Sequence, residues 1–306
     1  MTALPGPVLE GVETALSGLG VPGPISSVTP VAGGCINHGA RLDTERGLTF
    51  FLKWNAEAPP QLFEAEADGL KALGAPDALR VPRPLARGGG SGAPAWLLME
   101  HLAPGTPGPR YAWVLGRGLA RLHRSAPPRA SFGWPQDNWI GSLPQANGAS
   151  SSWAAFWGER RLGPQLRKAR DQRLLASATT AALESVMSLL DTALSDVDAG
   201  PPHLLHGDLW GGNVFPGPSG DPVLIDPAVY RGHGEVDLAM TELFGGFGED
   251  FYRAYAEEGE IAPEYGAYRR DLYQLYYLLV HVNLFGAQYE PRTVATARRV
   301  VAALRG

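Results

Sequence analysis

His206-Gly207-Asp208-Leu209-Trp210-Gly211-Gly212-Asn213, followed by Ile225-Asp226-Pro227, decides how the rest of this chain is read. An Asp, four residues, an Asn, and then an Asp ending a short apolar run is the arrangement that phosphoryl transfer from Mg-ATP requires. One carboxylate, Asp208, takes the proton of the attacking hydroxyl, while the amide oxygen of Asn213 and the carboxylate of Asp226 hold the metal on the phosphates. The spacer lets a tight loop turn Asp208 toward substrate and Asn213 toward metal, and Val223-Leu224-Ile225 reads as the strand that delivers Asp226. Each half alone has an ordinary explanation, since HGD is often just a turn and Asp before Pro is common loop chemistry. A competing reading takes His203, His206 and Asp208 as zinc ligands of a hydrolase. It leaves Asn213, Asp226 and Lys53 without a role.

At 306 residues the chain has room for one large domain or two lobes. A net charge of -5 with no basic block gives no reason to expect nucleic acid or an anionic membrane as partner. No apolar run approaches a membrane span, and residues 1–5 lack a basic region followed by an apolar one, so neither anchor nor signal peptide is expected. The single cysteine, Cys35, permits no intrachain disulfide, and the expected location is cytoplasmic.

Residues 8–20 read as an amphipathic helix, and 28–31, 39–43 and 48–54 as strands with turns at Gly33-Gly34 and Arg46-Gly47. Pro60 opens a helix over 60–73, and the apolar stretches 81–86 and 95–99 flank a Gly-rich turn at 88–92. Beyond Glu100-His101-Leu102, helical patterns dominate: 111–124, 153–170, 176–194, 235–244, 249–258, 263–288 and 292–304, with a long loop over 125–151. The expected fold class is α+β and bilobal, on the protein-kinase-like plan: a small β-rich N-lobe over 1–99, a hinge at 100–102 and a larger, mainly helical C-lobe over 103–306. That plan implies an ATP cleft between the lobes.

The plan assigns the remaining polar residues. The basic residues are 23 Arg against three Lys, so Lys53 inside the run Phe50-Phe51-Leu52-Lys53-Trp54 draws notice. Taken alone it could be an edge-strand lysine snorkelling to water. In a kinase plan it reaches the α- and β-phosphates, held there by a glutamate of the next helix. Glu66 is favoured over Glu64, because at ~100° per residue Glu66 lies nearly in line with the apolar Leu70. Gly33 and Gly34 belong to the expected loop over the phosphates, and Leu97-Leu98-Met99-Glu100-His101-Leu102 is the expected hinge. There Met99, Glu100 and Leu102 meet the adenine, the last two through the Glu100 carbonyl and the Leu102 amide.

With these residues in place the chain resembles the fructosamine-3-kinase, or ketosamine kinase, family within the wider aminoglycoside-phosphotransferase-like kinases. The resemblance spans nearly the whole sequence: GGCIN at 33–37, FLK at 51–53, FEAEADGLKAL at 63–73, LLMEHL at 97–102, FGW at 132–134, DNWIGSLPQANG at 137–148, FWGERRLGPQL at 156–166, HGDLWGGN at 206–213, IDPAVYRGHGEVDLAM at 225–240 and LFGGF at 243–247. HGD-x4-N with IDP is shared by the whole superfamily, whereas Trp210 and IGSLPQ are much more specific to the ketosamine branch. The resemblance implies phosphorylation, with ATP and Mg²⁺, of the sugar 3-hydroxyl in ketosamines, carried by small molecules or glycated proteins. The phosphorylated product falls apart, which makes the reaction a deglycation and protein-repair step. Other acceptors on the same fold (an aminoglycoside, a choline-like alcohol, another sugar) stay open, as does a non-catalytic binding module.

Protein kinases carry Lys two residues after the catalytic Asp; here that position is Trp210, whose indole can stack on a sugar face and attract a protonated ketoamine. Trp210 as a core residue under the loop is the alternative. Asp237 is expected to brace the catalytic loop, the FGW/DNWIG region to help shape the acceptor pocket, and His281 to be a satisfied core histidine. Cys35, the only thiol, lies in the expected phosphate loop. The protein is expected to be a monomer in which oxidation joins Cys35 to a second copy and alters activity; a small buried residue without redox role is the alternative.

Overall fold

In the computed structural model, which describes residues 4–21, 23–31, 37–90, 92–127 and 130–306, strand alternation sorts the run Phe50–Trp54 onto two faces. Phe50, Leu52 and Trp54 join one apolar cluster, and Lys53 points to the opposite face. The strand concerned is β3 (Thr49–Asn55), the centre of an antiparallel sheet with β1 (Ile25–Val31), β2 (His38–Thr44), β4 (Pro84–Gly90) and β5 (Ala93–Glu100). The strand order is β1-β2-β3-β5-β4. Helix α1 (Gly6–Gly18) contributes Val8, Val12 and Leu16, four residues apart, to the cluster with Leu42, Leu52, Trp96 and Leu98. Helix α2 (Pro60–Gly74) starts with Pro at its first position and buries Phe63, Ala67 and Leu70.

Gly88 does not belong to a turn, as its composition suggests. β4 runs on through Gly90 with bulges, because Gly88 lies under the Trp96 indole, where a Cβ would meet Cζ2 at 2.5 Å.

The chain divides into two compact units. The first comprises residues 1–108 together with Phe215–Ile225. That second segment, holding most of the short pair β9 (Val214–Pro216) and β10 (Pro222–Leu224), is an excursion out of the region 103–306 that the sequence reads as one lobe. Backbone bonds explain it: Leu224 N–H donates to Arg80 O at 2.9 Å, Gly105 N–H to Pro216 O at 2.7 Å, and Gly108 N–H to Gly220 O at 3.0 Å.

The second unit is mainly helical. Helix α3 (Tyr111–His123) packs on α9 (Glu249–Ala256), and α10 (Arg270–Phe285) lies against α8 (Glu235–Leu243), α5 (Gly163–Asp171) and α11 (Glu290–Arg305). A π-helical turn, Trp157–Leu162, joins α4 (Trp153–Phe156) to α5. The helix expected over 176–194 breaks into α6 (Ser177–Met187) and α7 (Leu190–Ala193). The one expected over 263–288 ends at Phe285, where Gly286 takes φ +96°. The expected loop over 125–151 contains a small hairpin, β6 (Asn138–Ile140) and β7 (Leu143–Gln145), and β8 (His203–Leu205) pairs with β11 (Tyr230–Gly232). Among the described residues no helix is long and apolar enough to cross a membrane.

The α3–α9 contact depends on Gly116, whose missing side chain admits the α9 backbone. A Cβ there would collide with the Phe251 carbonyl oxygen and stand 2.9 Å from Tyr255 N. Gly18, at the end of α1, has nothing within 4 Å of the same position. Gly116→Ala is therefore expected to cost about 1–3 kcal/mol, and Gly18→Ala close to nothing, as read from urea unfolding midpoints of the two variants.

Candidate active site

The loop after β8 leaves regular structure at His206, and a buried carboxylate takes over its backbone bonding. Asp237, in the first turn of α8 and fully buried, accepts the His206 N–H at 2.8 Å through Oδ2 and the Gly207 N–H at 2.9 Å through Oδ1. His123 Nε2 lies 3.1 Å from the same Oδ2, and its Nδ1 meets the Tyr255 hydroxyl at 2.9 Å. Asp237 is thus a brace, as its place in the sequence suggests. Tyr277 of α10 donates to Gly207 O at 2.9 Å. Gly207 takes φ +81°, and a Cβ there would stand 2.8 Å from the Ala228 carbonyl carbon. Glycine lets the two segments 206–208 and 226–228 meet.

That meeting brings together the three residues singled out at the start. Asn213 Nδ2 donates to Asp208 O at 2.8 Å, to Asp208 Oδ2 at 3.2 Å and to Asp226 O at 3.5 Å. All three bonds use the amide nitrogen, so Oδ1 is the Asn213 atom that can turn to a cation. Burial, followed by the neighbouring charge of Asp226, pushes the Asp208 carboxyl up to about 7; the Asn213 hydrogen bond opposes the rise, and Asp237 adds to it. The Asp226 carboxylate and the Asn213 amide oxygen are hard-oxygen donors of the kind magnesium takes. Asp226 holds φ +55°, a left-handed conformation that non-glycine residues seldom adopt and that clusters at functional sites.

The hairpin β6–β7 secures the chain just after Asp226. Asn138 Nδ2 donates to Val229 O at 2.8 Å, and Gln145 Nε2 donates to Ala228 O at 3.3 Å and to Asn138 Oδ1 at 2.8 Å. Asn147 Nδ2 also reaches Asn138 Oδ1 at 2.8 Å, while Arg161, from the π-helical turn, donates to Asn147 Oδ1 at 2.7 Å. Tyr276 caps the network by donating to Gln145 Oε1 at 2.6 Å. Asn138, in the region expected to shape the acceptor pocket, and Gln145 just beyond it therefore go to the backbone of 228–229. Gln145, Asn147 and Arg161 were not singled out by sequence reasoning, and their only signal there is polarity amid apolar neighbours.

Trp210 is 41% exposed, which excludes a core role, and its indole lies over Gly212, where a Cβ would stand 2.7 Å from Cζ3. Phe244 meets it edge-on at 6.5 Å between ring centroids. His281 is half-buried rather than a core histidine: its Nδ1 meets Tyr277 O at 2.8 Å, and its ring packs on Phe244 at 4.8 Å. His203 Nδ1 accepts the Gly234 N–H at 2.9 Å, and His206 Nδ1 accepts that of Asp208 at 3.3 Å. Those two imidazoles bind backbone and do not converge with Asp208 as a zinc site would need.

Within the first unit, Lys53 Nζ lies 2.5 Å from Glu66 Oε1, with both side chains about nine-tenths buried. Glu64 points outward to Arg87 at 2.9 Å. Met99 is buried opposite Phe51 in the sheet, and the Glu100 carboxylate accepts from Arg80 and from Arg83 N–H. Leu102 is half-buried. Gly33, Gly34 and Cys35 lie outside the described residues.

The model of a family described as fructosamine kinase matches residues 13–303. A "probable ketoamine kinase" of Synechocystis is 44% identical over 274 residues, 89% of each chain. The chloroplastic protein-ribulosamine 3-kinase of Arabidopsis thaliana is 40% identical over 270 residues, 87% of this chain and 79% of that one. Among solved structures, a candidate fructosamine-3-kinase from Thermobifida fusca superposes with a TM-score of 0.81 at 37% identity, covering 92% of this chain and 95% of the other. An aminoglycoside phosphotransferase, APH(4)-Ia, matches with a TM-score of 0.63 at 15% identity over 96% of this chain and 97% of that one, which shows a common fold.

The brace is backed by stacked imidazoles: His123 and His203 at 5.9 Å, His203 and His233 at 6.1 Å. Burial, then the charges of His123 and Arg124, lowers His203 to about 4, and burial with the neighbouring cations holds His233 well below the ordinary range. The unfolded chain takes up these protons near pH 6.5 and the folded one does not, so this stabilisation is complete above 6.5 and declines as pH falls toward 4. Each histidine contributes a slope of roughly 1.4 kcal/mol per pH unit. Urea unfolding of His203→Gln from pH 7.5 to 4.5 is expected to give a slope shallower than wild type by about one proton; parallel slopes would remove His203 from this account.

Proposed function

The chain belongs to the fructosamine kinase family, and from this membership and the geometry at Asp208 we propose that it transfers the γ-phosphoryl group of ATP to the sugar 3-hydroxyl of ketosamines. The observation that carries the reading is the convergence of Asp208, Asn213 and Asp226 through one amide. Asp208 accepts the proton of the sugar hydroxyl, and a carboxyl raised toward neutrality is a stronger base than an ordinary one. Asp226 and Asn213 Oδ1 are the ligands for magnesium, which, when bound with ATP, supplies neutralisation of charge on the phosphate oxygens. Lys53, fixed by Glu66, is the side chain for the α- and β-phosphates, and Met99, Glu100 and Leu102 are assigned to the adenine. Trp210 offers an exposed indole to the sugar's C–H face two residues from the base.

The same reading makes the reaction a deglycation step, because the phosphorylated adduct decomposes and releases the amine. Both small ketosamines and glycated proteins fall within it, and the Arabidopsis relative is by name a protein-ribulosamine kinase. A cytoplasmic location suits a chain with one thiol.

An ATP-consumption assay over ribulosamines, fructosamines, aminoglycosides and choline tests the assignment. Phosphate should appear on a ketosamine and not on the others; transfer only to an aminoglycoside or choline would overturn it. Asp208→Asn is expected to lower turnover by ~10²–10⁴-fold with ATP binding retained, whereas Asp226→Ala should weaken Mg-ATP binding as well. Trp210→Ala should weaken ketosamine use by roughly 0.5–2 kcal/mol and leave nucleotide affinity near wild type, as measured by calorimetry. Equal loss of both affinities would make Trp210 structural.

A further inference from the structure

Six large apolar side chains are exposed among the described residues: Leu19, Val31, Leu48, Trp210, Phe244 and Phe285. The three that belong to the helical unit lie in one row. From Trp210 the rings run to Phe244 at 6.5 Å, to His281 at 4.8 Å, and on to Phe285 and Tyr289 at 5.4 and 5.0 Å. Exposed apolar residues scattered singly are ordinary, whereas a contiguous row is a recognition surface.

Special backbone builds this row. Gly245 and Gly246 take φ +75° and +101°, which turns the chain after Phe244 and places it against Gly211 of the catalytic loop. Gly286, at φ +96°, ends α10 and lets Tyr289 return onto His281. The row is also keyed to the reaction centre. Tyr277, His281 and Phe285 recur every fourth residue along α10; the Tyr277 hydroxyl holds Gly207 O, and its carbonyl accepts from His281 Nδ1. Burial lowers the His281 pKa, so the row is uncharged at neutral pH.

Resting on the ketosamine reading, we propose that the row from Phe244 through His281 to Phe285 and Tyr289 seats apolar side chains of a glycated peptide beside the lysine that bears the adduct. A sugar whose hydroxyl meets Asp208 and whose face meets Trp210 carries its amine substituent beyond the indole, and the surface continuous with the indole is Phe244. Phe285 stands three ring-to-ring steps from the indole, so the residues flanking a glycated lysine have more of the row to meet than a single adducted amino acid has. The enzyme therefore discriminates among glycated sites by the side chains flanking the lysine, with aromatic and branched aliphatic neighbours preferred.

The test compares kcat/KM for three acceptors: the free lysine adduct, a peptide with the same adduct flanked by Phe, and its counterpart flanked by Ser. The sugar is whichever of ribulose or fructose the free adduct favours. Wild type should prefer the Phe-flanked peptide by roughly five- to tenfold. Phe285→Ser should bring that ratio toward one while leaving the free adduct's kcat/KM unchanged, which also shows that the variant folds. Phe244→Ser, the second variant, should reduce the ratio too. Equal wild-type rates on the two peptides, or a preference that survives Phe285→Ser, overturn the proposal. A dimer seen in sedimentation and dissolved by Phe285→Ser, with equal peptide rates, gives the row to a second copy of the chain instead. Failure to phosphorylate even the free adduct brings down the ketosamine reading and this proposal with it.

Discussion

The Asp237 carboxylate is the constraint on which the site depends. Residues 206–210 lie outside regular structure, so their buried N–H groups need partners from elsewhere. Asp237 supplies two, at His206 and Gly207, and receives a third contact from His123. A buried carboxylate is costly unless its oxygens are satisfied, and here the loop and the carboxylate satisfy each other. Only with the loop held at this depth does Gly207 pass close to Ala228, and only then does Asn213 reach both Asp208 and the carbonyl of Asp226.

Division of labour among the three acidic residues follows. The charge of Asp237 is spent on amides and an imidazole, while burial, and after it the neighbouring charge of Asp226, raises Asp208. The left-handed backbone at Asp226 costs about 1–3 kcal/mol, and the amide ladder Asn138–Gln145–Asn147 acts against relaxation by gripping the carbonyls of Ala228 and Val229 just beyond it. Arg161, buried between the Tyr230 and Phe156 rings, locks the far end of that ladder.

Local patterns carried much of this into the sequence. Spacing in 206–213 and 225–227 marks the loop and the two acids, strand alternation sends Lys53 away from the α1 face, and helical phase separates Glu66 from the outward Glu64. What stayed hidden depends on partners distant in the chain. The Gly88–Gly90 run looks like a turn until Trp96 is laid across it. The segment 215–225 looks like part of the helical unit until Arg80, Gly105 and Gly108 take its backbone bonds. Asn138 and Gln145 look like loop polarity because the carbonyls they serve lie some eighty to ninety residues later. The exposed aromatic row is likewise invisible in sequence, where Phe244 and Phe285 read as ordinary apolar positions.

Helix α10 shows how catalysis and acceptor choice can be separate within one element. Tyr273, Tyr276 and Tyr277 are buried, and their hydroxyls go to Trp153 and His233, to Gln145 and to Gly207 O. Replacing any of them strands a buried polar partner, at about 1–3 kcal/mol each, and loosens the loop or its bracing hairpin. About one and two turns beyond Tyr277, His281 and Phe285 emerge from the core, and Phe285 has nearly half its surface in water. Substitution at that end removes little buried area and leaves the Tyr277 hydroxyl on Gly207. The rigid half of α10 therefore fixes where phosphoryl transfer occurs, while its exposed half is free to change what is presented there, at little cost in stability.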